Sequence, residues 1–317
     1  MKQNPTLWVV VPCYNEEAML PLSMPRLEEL MATMTSDGLI SSDSRIVYVD
    51  DCSSDATWSL ICRHHDGNPL HCGLHLGRNS GHQNALMAGM EASAGQADCV
   101  VTIDADLQDD IRVIPEMVRH YREGFEIVYG VRNGRSSDTF FKRNTALTFY
   151  RLMNGLGART VFNHADFRLM GSRAVQQLMS YQERTLFLRG IVPQLGYRSM
   201  TVGYDRQIRE AGETKYPLLK MMQFAAGGIT SMSVKPIRLV FVFGLLFILT
   251  AVAVACWAFW CLFTGRSVSG WVSLILSLWF IGGCILAALG LIGEYIGNIS
   301  MDVKRRPRYN ITETRLK

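Results

Sequence analysis

The chain has 317 residues, 48% of them hydrophobic and 19% charged, with a formal net charge of +4. The length exceeds one typical domain, and the apolar share points part of the chain to a membrane. So mild a positive balance, with no long basic run before the apolar C-terminal third, excludes nucleic acid as a partner.

The N-terminal stretch MKQNPTLWVVVPCYNEE holds only a short apolar segment before a proline and two acids, too little for a signal-peptide core. Five strand candidates follow in order: LWVVVP, RIVYVDD, LHCGLHL, ADCVVTID and EIVYGVR. Segments of helical period lie between them, near 16–34, 55–65, 82–94 and 111–123. This alternation predicts an α/β domain, Rossmann-like, with a mostly parallel sheet and right-handed crossovers. Ligands of such sheets sit beyond the carboxyl ends of the strands. There the chain concentrates polar residues: Tyr14-Asn15-Glu16, Asp50-Asp51, Arg78-Asn79 and Asp104-Ala105-Asp106. Neither a dinucleotide fingerprint nor a Walker loop is present.

Within TIDADLQDD, residues 102–110, Asp104 and Asp106 are two apart. In extended chain they point the same way, and two such carboxylates repel unless a cation lies between them. A hard ion, Mg2+ or Mn2+, suits them, with Gln108 as a neutral oxygen donor. Asp109 and Asp110 have two readings, residues at a helix start or contacts to substrate. The stretch 139–157, TFFKRNTALTFYRLMNGLG, sets Lys142, Arg143 and Arg151 among aromatic and aliphatic residues, the pattern of a helix on a membrane surface. A second juxtamembrane helix is expected at 217–233. The seven histidines lack zinc-ligand spacing and are read as structural, and the eight cysteines form no CxxC pair and are read as reduced.

Two uncharged runs, 239–263 and 271–293, are each long enough to span a bilayer. The short link between them makes a hairpin, residues 236–297, followed by a tail from 298 to 317. Lys235 and Arg238 before it, and Lys304, Arg305, Arg306 and Arg308 after it, against a single Arg266 in the link, put both termini on the cytoplasmic side.

VVVPCYNEE, VDDCSSD, LGRNSGHQNALMAG, TIDADLQDD, HADFRLM and REAGETKYPLLK occur in that order before the apolar hairpin. Together they resemble the polyprenyl-phosphate glycosyltransferases of glycosyltransferase family 2, relatives of dolichol-phosphate mannose synthase. The resemblance implies a GT-A fold over residues 1–235, a nucleotide-sugar donor, a divalent metal and a polyprenyl phosphate acceptor, usually undecaprenyl phosphate in bacteria. It further implies an inner-membrane enzyme, a homotetramer, and two partners, a flippase and a downstream transferase. Cys52 stands where the family generally has glycine, and Asp110-Ile111 replaces a common Pro-Pro.

By this resemblance, Pro12, Tyr14, Glu16, Asp50 and Asp51 form the nucleoside pocket, and Arg78, Arg206, Arg209 and Lys215 face the diphosphate. Asp51 has the alternative of capping the next helix. Asp104, Asp106 and Gln108 hold the metal, Asp104 also meeting the nucleotide. Lys142, Arg143 and Arg168 grip the acceptor phosphate, Arg168 having the alternative of a salt bridge to Asp166. Asp166 and Asp106 are the catalytic carboxylates, Asp166 either as a base or as an orienting group. The expected reaction is inverting transfer of one sugar, with UDP-glucose as the expected donor. The competing expectations are an inactive membrane scaffold and a processive polysaccharide synthase; the QxxRW pattern of the latter is absent.

Overall fold

The computed structural model describes residues 4–133, 164–181, 183, 187–205, 235–264 and 270–316. Strand β1 (Leu7–Cys13) is buried along its whole length, as expected of a strand covered on both faces. Its side chains alternate between two cores. Leu7, Val9 and Val11 join a layer with Leu27, Met31, Ile61 and Met117, whereas Trp8 and Val10 join Leu86, Met90 and Val175 on the other face.

The helices of the first layer are α1 (Leu20–Ser36), α2 (Thr57–Gly67) and α4 (Ile114–Arg122), the last preceded by a short 3-10 turn, Ile111–Val113. Helix α4 buries Ile114, Met117, Val118 and Tyr121, the one-sided spacing that drives an amphipathic helix onto a sheet. Helices α3 (His82–Ser93) and α5 (Ser172–Met179) cover the opposite face. Gly89 permits the close approach of α3: a Cβ there would meet Val10 Cγ1 at 2.3 Å.

Strands β2 (Arg45–Asp50), β3 (His71–Leu76), β4 (Cys99–Thr102) and β5 (Ile127–Arg132) follow the expected order. Three further strands, β6 (His164–Gly171), β7 (Ser199–Tyr204) and β8 (Ile311–Arg315), complete a sheet ordered β7-β5-β6-β4-β1-β2-β3-β8. The β1–β2, β1–β4, β2–β3 and β5–β7 pairings are parallel. Strand β6 runs antiparallel to both β4 and β5, so the purely parallel pattern breaks where HADFRLM enters the sheet.

After a short helix α6 (Leu188–Ile191), two long helices run over Lys235–Phe263 (α7) and Trp271–Val303 (α8), with the rings of Phe247 and Phe280 in edge contact at 5.5 Å. Phe241, Trp257, Trp260, Leu274, Leu278 and Leu286 are exposed. Among the described residues, one stretch, Phe280–Val303, is long and apolar enough to cross a membrane. It starts and ends later than the expected second span. The residues after it are more than a plain tail, because β8 returns to pair antiparallel with β3 and closes that edge of the sheet.

Candidate active site

The loops after β1 and β2 are zipped together by side-chain to backbone bonds. Asn15 N donates to Ser53 Oγ at 2.9 Å, Ser54 N to Asn15 Oδ1 at 2.9 Å, and Glu16 N to Thr57 Oγ1 at 2.8 Å. Pro12 is buried in the strand and Tyr14 exposes its ring at the rim. Asp50 has no exposed surface: it accepts from His75 Nδ1 at 2.6 Å and from Ser53 N at 3.3 Å. Asp51, also buried, accepts from Ser80 N at 2.6 Å and Gly81 N at 2.8 Å. Desolvation raises its carboxyl above the usual range, against the pull of those two N–H groups. Asp51 thus meets the turn before α3 and not the start of α2, against its helix-cap alternative. The two bonds to Asp51 fasten the turn that leads into α3, where Gly81 has φ +89°.

The turn also receives the C-terminal segment. Gly77 N donates to Asn310 O at 2.8 Å, and the exposed Arg78 reaches Pro307 O with Nη2 at 3.5 Å.

Beyond β4 the chain does not stay extended. Leu107 N donates to Asp104 O at 3.2 Å and Leu107 has φ +45°, so Asp104 to Leu107 form a turn. The pairing of Asp104 with Asp106 therefore arises from a turn and not from the two-residue period of a strand. Gln108 N closes the loop onto Asp106 Oδ1 at 3.2 Å. Four non-glycine residues among those described have positive φ, and three of them, Asn15, Cys52 and Leu107, stand at these strand ends. Each such backbone costs about 1–2 kcal/mol, and strain of this kind gathers at functional sites.

Asp166, on β6, is buried and clamped. Arg168 Nη2 donates to Oδ1 at 2.5 Å, and Arg189 to Oδ2 through Nη2 at 3.0 Å and Nε at 3.3 Å. Its backbone carbonyl accepts from Thr102 Oγ1 at 2.5 Å, which ties it to β4 beside Asp104. Desolvation works to raise its pKa, but Arg189, Arg168 and His82 together hold the carboxyl well below the ordinary range. Arg168 is 1% exposed and also donates to Leu188 O, so the acceptor-phosphate reading of Arg168 is corrected to the salt bridge. A group sealed in the core has no face to offer a lipid headgroup.

His82, read as structural from spacing alone, lies in the site: Nε2 is 3.4 Å from Asp104 Oδ1 and 3.8 Å from Asp166 Oδ2. Desolvation, and then the negative charges of Asp109, Asp166 and Asp106, raise the Asp104 carboxyl, while His82 opposes them. Its side chain remains 42% exposed. Asp109 is not a helix-start residue either. It is buried, accepting from Tyr204 Oη at 2.6 Å and from Arg132 Nη2 at 2.9 Å. Asp110 does start the 3-10 turn, accepting from Arg112 N at 3.0 Å.

Among the described residues, no three His, Cys, Asp or Glu side chains stand close enough to cage a metal ion. Two carboxylates on one turn fit a different arrangement, in which Mg2+ or Mn2+ keeps waters and takes phosphate oxygens from a substrate. Exposure of the Asp104 carboxyl amid other acids suits that need. Lys142, Arg143, Arg206, Arg209 and Lys215, and both expected juxtamembrane helices, lie outside the described residues.

Parallel strands that end in a carboxylate turn, flanked by an antiparallel β6 bearing a clamped aspartate, make a GT-A-like fold. The model of "Glycosyl transferase family 2" matches residues 8–179, and the chain belongs to that family. It is 53% identical over 313 residues to "Uncharacterized glycosyltransferase YkoT" of Bacillus subtilis (strain 168), covering 98% of this chain and 93% of that one. To "Prophage bactoprenol glucosyl transferase homolog" of Escherichia coli (strain K12) it is 36% identical, covering 96% and 97%. Among solved structures it resembles a mannosyltransferase from Pyrobaculum calidifontis in complex with GDP-Man and Mn2+, at 14% identity and TM-score 0.44, covering 96% and 88%.

Proposed function

We propose that the protein transfers one sugar, with glucose from UDP-glucose the favoured case, to a polyprenyl phosphate at the cytoplasmic face of a membrane. The observation that carries this reading is the exposed Asp104–Asp106 turn next to Asp166, in a chain 36% identical over nearly its full length to a protein named for bactoprenol glucosyl transfer. The two apolar helices α7 and α8 serve as a hairpin that keeps the domain beside its lipid acceptor.

A phosphate monoester has a second pKa near about 6 and is largely ionised at neutrality, so the acceptor needs little deprotonation. Asp166, held ionised with both oxygens on guanidiniums, acts as an orienting group and not as a proton carrier. The difficult steps are bringing two anions together and releasing a nucleoside diphosphate. Asp104 and Asp106, with Gln108, would hold Mg2+ or Mn2+, which supplies charge stabilisation for the departing diphosphate. Tyr14, with an exposed ring, would stack on the base, Glu16 would accept from the nucleoside, and Arg78 would meet the diphosphate. Direct attack by the lipid phosphate inverts the anomeric carbon, with no sugar-enzyme intermediate.

Purified full-length protein incubated with Mg2+ or Mn2+, undecaprenyl phosphate and a panel of labelled UDP- and GDP-sugars tests the reading. Labelled lipid that disappears with EDTA is the expected result, strongest with UDP-glucose. Consumption of no donor in the panel, with Asp104→Ala leaving cellular function intact, would overturn it.

A further inference from the structure

The Asp166 clamp has two arms of different character. Arg168 is sealed in the core and makes the shorter bond, so it alone suffices to neutralise the carboxylate. Arg189 meets the other oxygen, yet its side chain is 36% exposed. Its anchorage is firm: Leu188 N, one residue earlier, donates to Gln83 Oε1 at 3.2 Å, fastening this short turn to the start of α3 beside His82. His82 in turn spans Asp166 and Asp104. Arg189 is thus a partly exposed guanidinium joined to the carboxylate turn through Asp166 and His82.

Fixed arginines suit phosphate because the planar fork presents paired donors, and holding it in advance lowers the ordering cost on binding. The carboxylates linked to Arg189, that of Asp166 directly and that of Asp104 through His82, would repel an incoming phosphate. An anion entering that space needs a cation contributed by the chain. We propose that Arg189 binds a substrate phosphate group in the transfer reaction, and that Asp166 is the positioning residue that presents it. This rests on the sugar-transfer reading above. The ligand chemistry is a phosphate oxygen, borne either by the lipid monoester or by the donor diphosphate.

The test uses full-length protein in lipid nanodiscs, as wild type, Arg189→Gln, Arg189→Lys and Asp166→Asn. Steady-state kinetics with UDP-glucose and undecaprenyl phosphate give separate KM values, and calorimetry with UDP and Mn2+ reports nucleotide affinity without turnover. Loss of a charged hydrogen bond is expected to raise the KM for undecaprenyl phosphate about 10-fold or more in Arg189→Gln. Arg189→Lys recovers part of that loss, and Asp166→Asn reproduces it, while UDP affinity stays within about twofold. A fall in UDP affinity of the same size with acceptor KM unchanged supports the phosphate role and assigns it to the donor. Both KM values and UDP affinity holding within about twofold in folded Arg189→Lys and Arg189→Gln would overturn the proposal. If wild type labels no lipid, the sugar-transfer reading fails instead, and UDP affinity still reports on Arg189.

Discussion

At the ends of β2 and β3, the buried Asp50 and Asp51 are met by backbone N–H groups of Ser53, Ser80 and Gly81 and by His75. Towards β5, β6 and β7, the buried Asp109 and Asp166 are met instead by the guanidiniums of Arg132, Arg168 and Arg189. Backbone donors fix the shape of a loop without adding net charge, whereas each arginine brings a full positive charge to offset its carboxylate. One half of the sheet holds its buried acids with neutral donors, and the other with guanidiniums. The carboxylate turn of Asp104 and Asp106 lies on the boundary between them.

The largest effect is expected at that boundary. Asp104→Ala should lower kcat by about 10²-fold or more, the scale of losing one preorganised electrostatic contact to a leaving group, with the melting temperature little changed. Radiolabel transfer to lipid and a thermal melt measure the two quantities.

On the arginine side, Asp109→Ala strands Arg132 and Tyr204. Breaking a fully buried ion pair costs about 3–5 kcal/mol, and since Arg132 keeps partial exposure about 2–3 kcal/mol is expected, read as a lowered melting temperature. A loss no greater than that of Tyr204→Phe, about 1 kcal/mol, would erase the contrast between the halves.

The neutral-partner side should be the more sensitive to mild acid. His71, the first residue of β3, is buried and faces Tyr48, Glu28, His64 and His65. Burial lowers its pKa, against the opposing pull of Glu28. A depressed value means that the unfolded chain takes up the proton first. The stability from neutral His71 is complete above about pH 6.5 and is lost as pH falls through the folded-state value. His71→Gln should flatten that slope in melting temperature between pH 7 and pH 5.

Much of the first half was legible in the chain. Runs such as LWVVVP and RIVYVDD have the apolar continuity of buried parallel strands, and polar residues at their ends mark the pocket. The acidic turn was found by composition but its geometry was not, because nothing in Asp104-Ala105-Asp106 announces that Leu107 takes φ +45°. His82 and Arg189 are distant from Asp166 in the chain and meet it only through the sheet. The place of His82, just after β3 at the start of α3, was the available signal, and a search for zinc spacing passed over it. Strand β8 was overlooked since the basic residues before it read as a tail, although the β-branched Ile311, Thr312 and Thr314 favour a strand.

The smallest effect sharpens the comparison at β2. Cys52 holds φ +60°, a left-handed backbone that glycine adopts without strain. Cys52→Gly removes about 1–2 kcal/mol of backbone strain and adds about 0.5–1 kcal/mol of unfolded-state entropy. The net rise in melting temperature should be small, with transfer activity retained; a clear fall would place Cys52 in a packing role instead.

The account's central claim is transfer of a single sugar to a lipid phosphate, and the mass of the lipid product tests it most directly. After reaction with UDP-glucose, wild-type protein should yield undecaprenyl phosphate heavier by one hexose, and Asp104→Ala almost none. An unchanged lipid across the whole donor panel, or a ladder of several sugars per lipid, would contradict it.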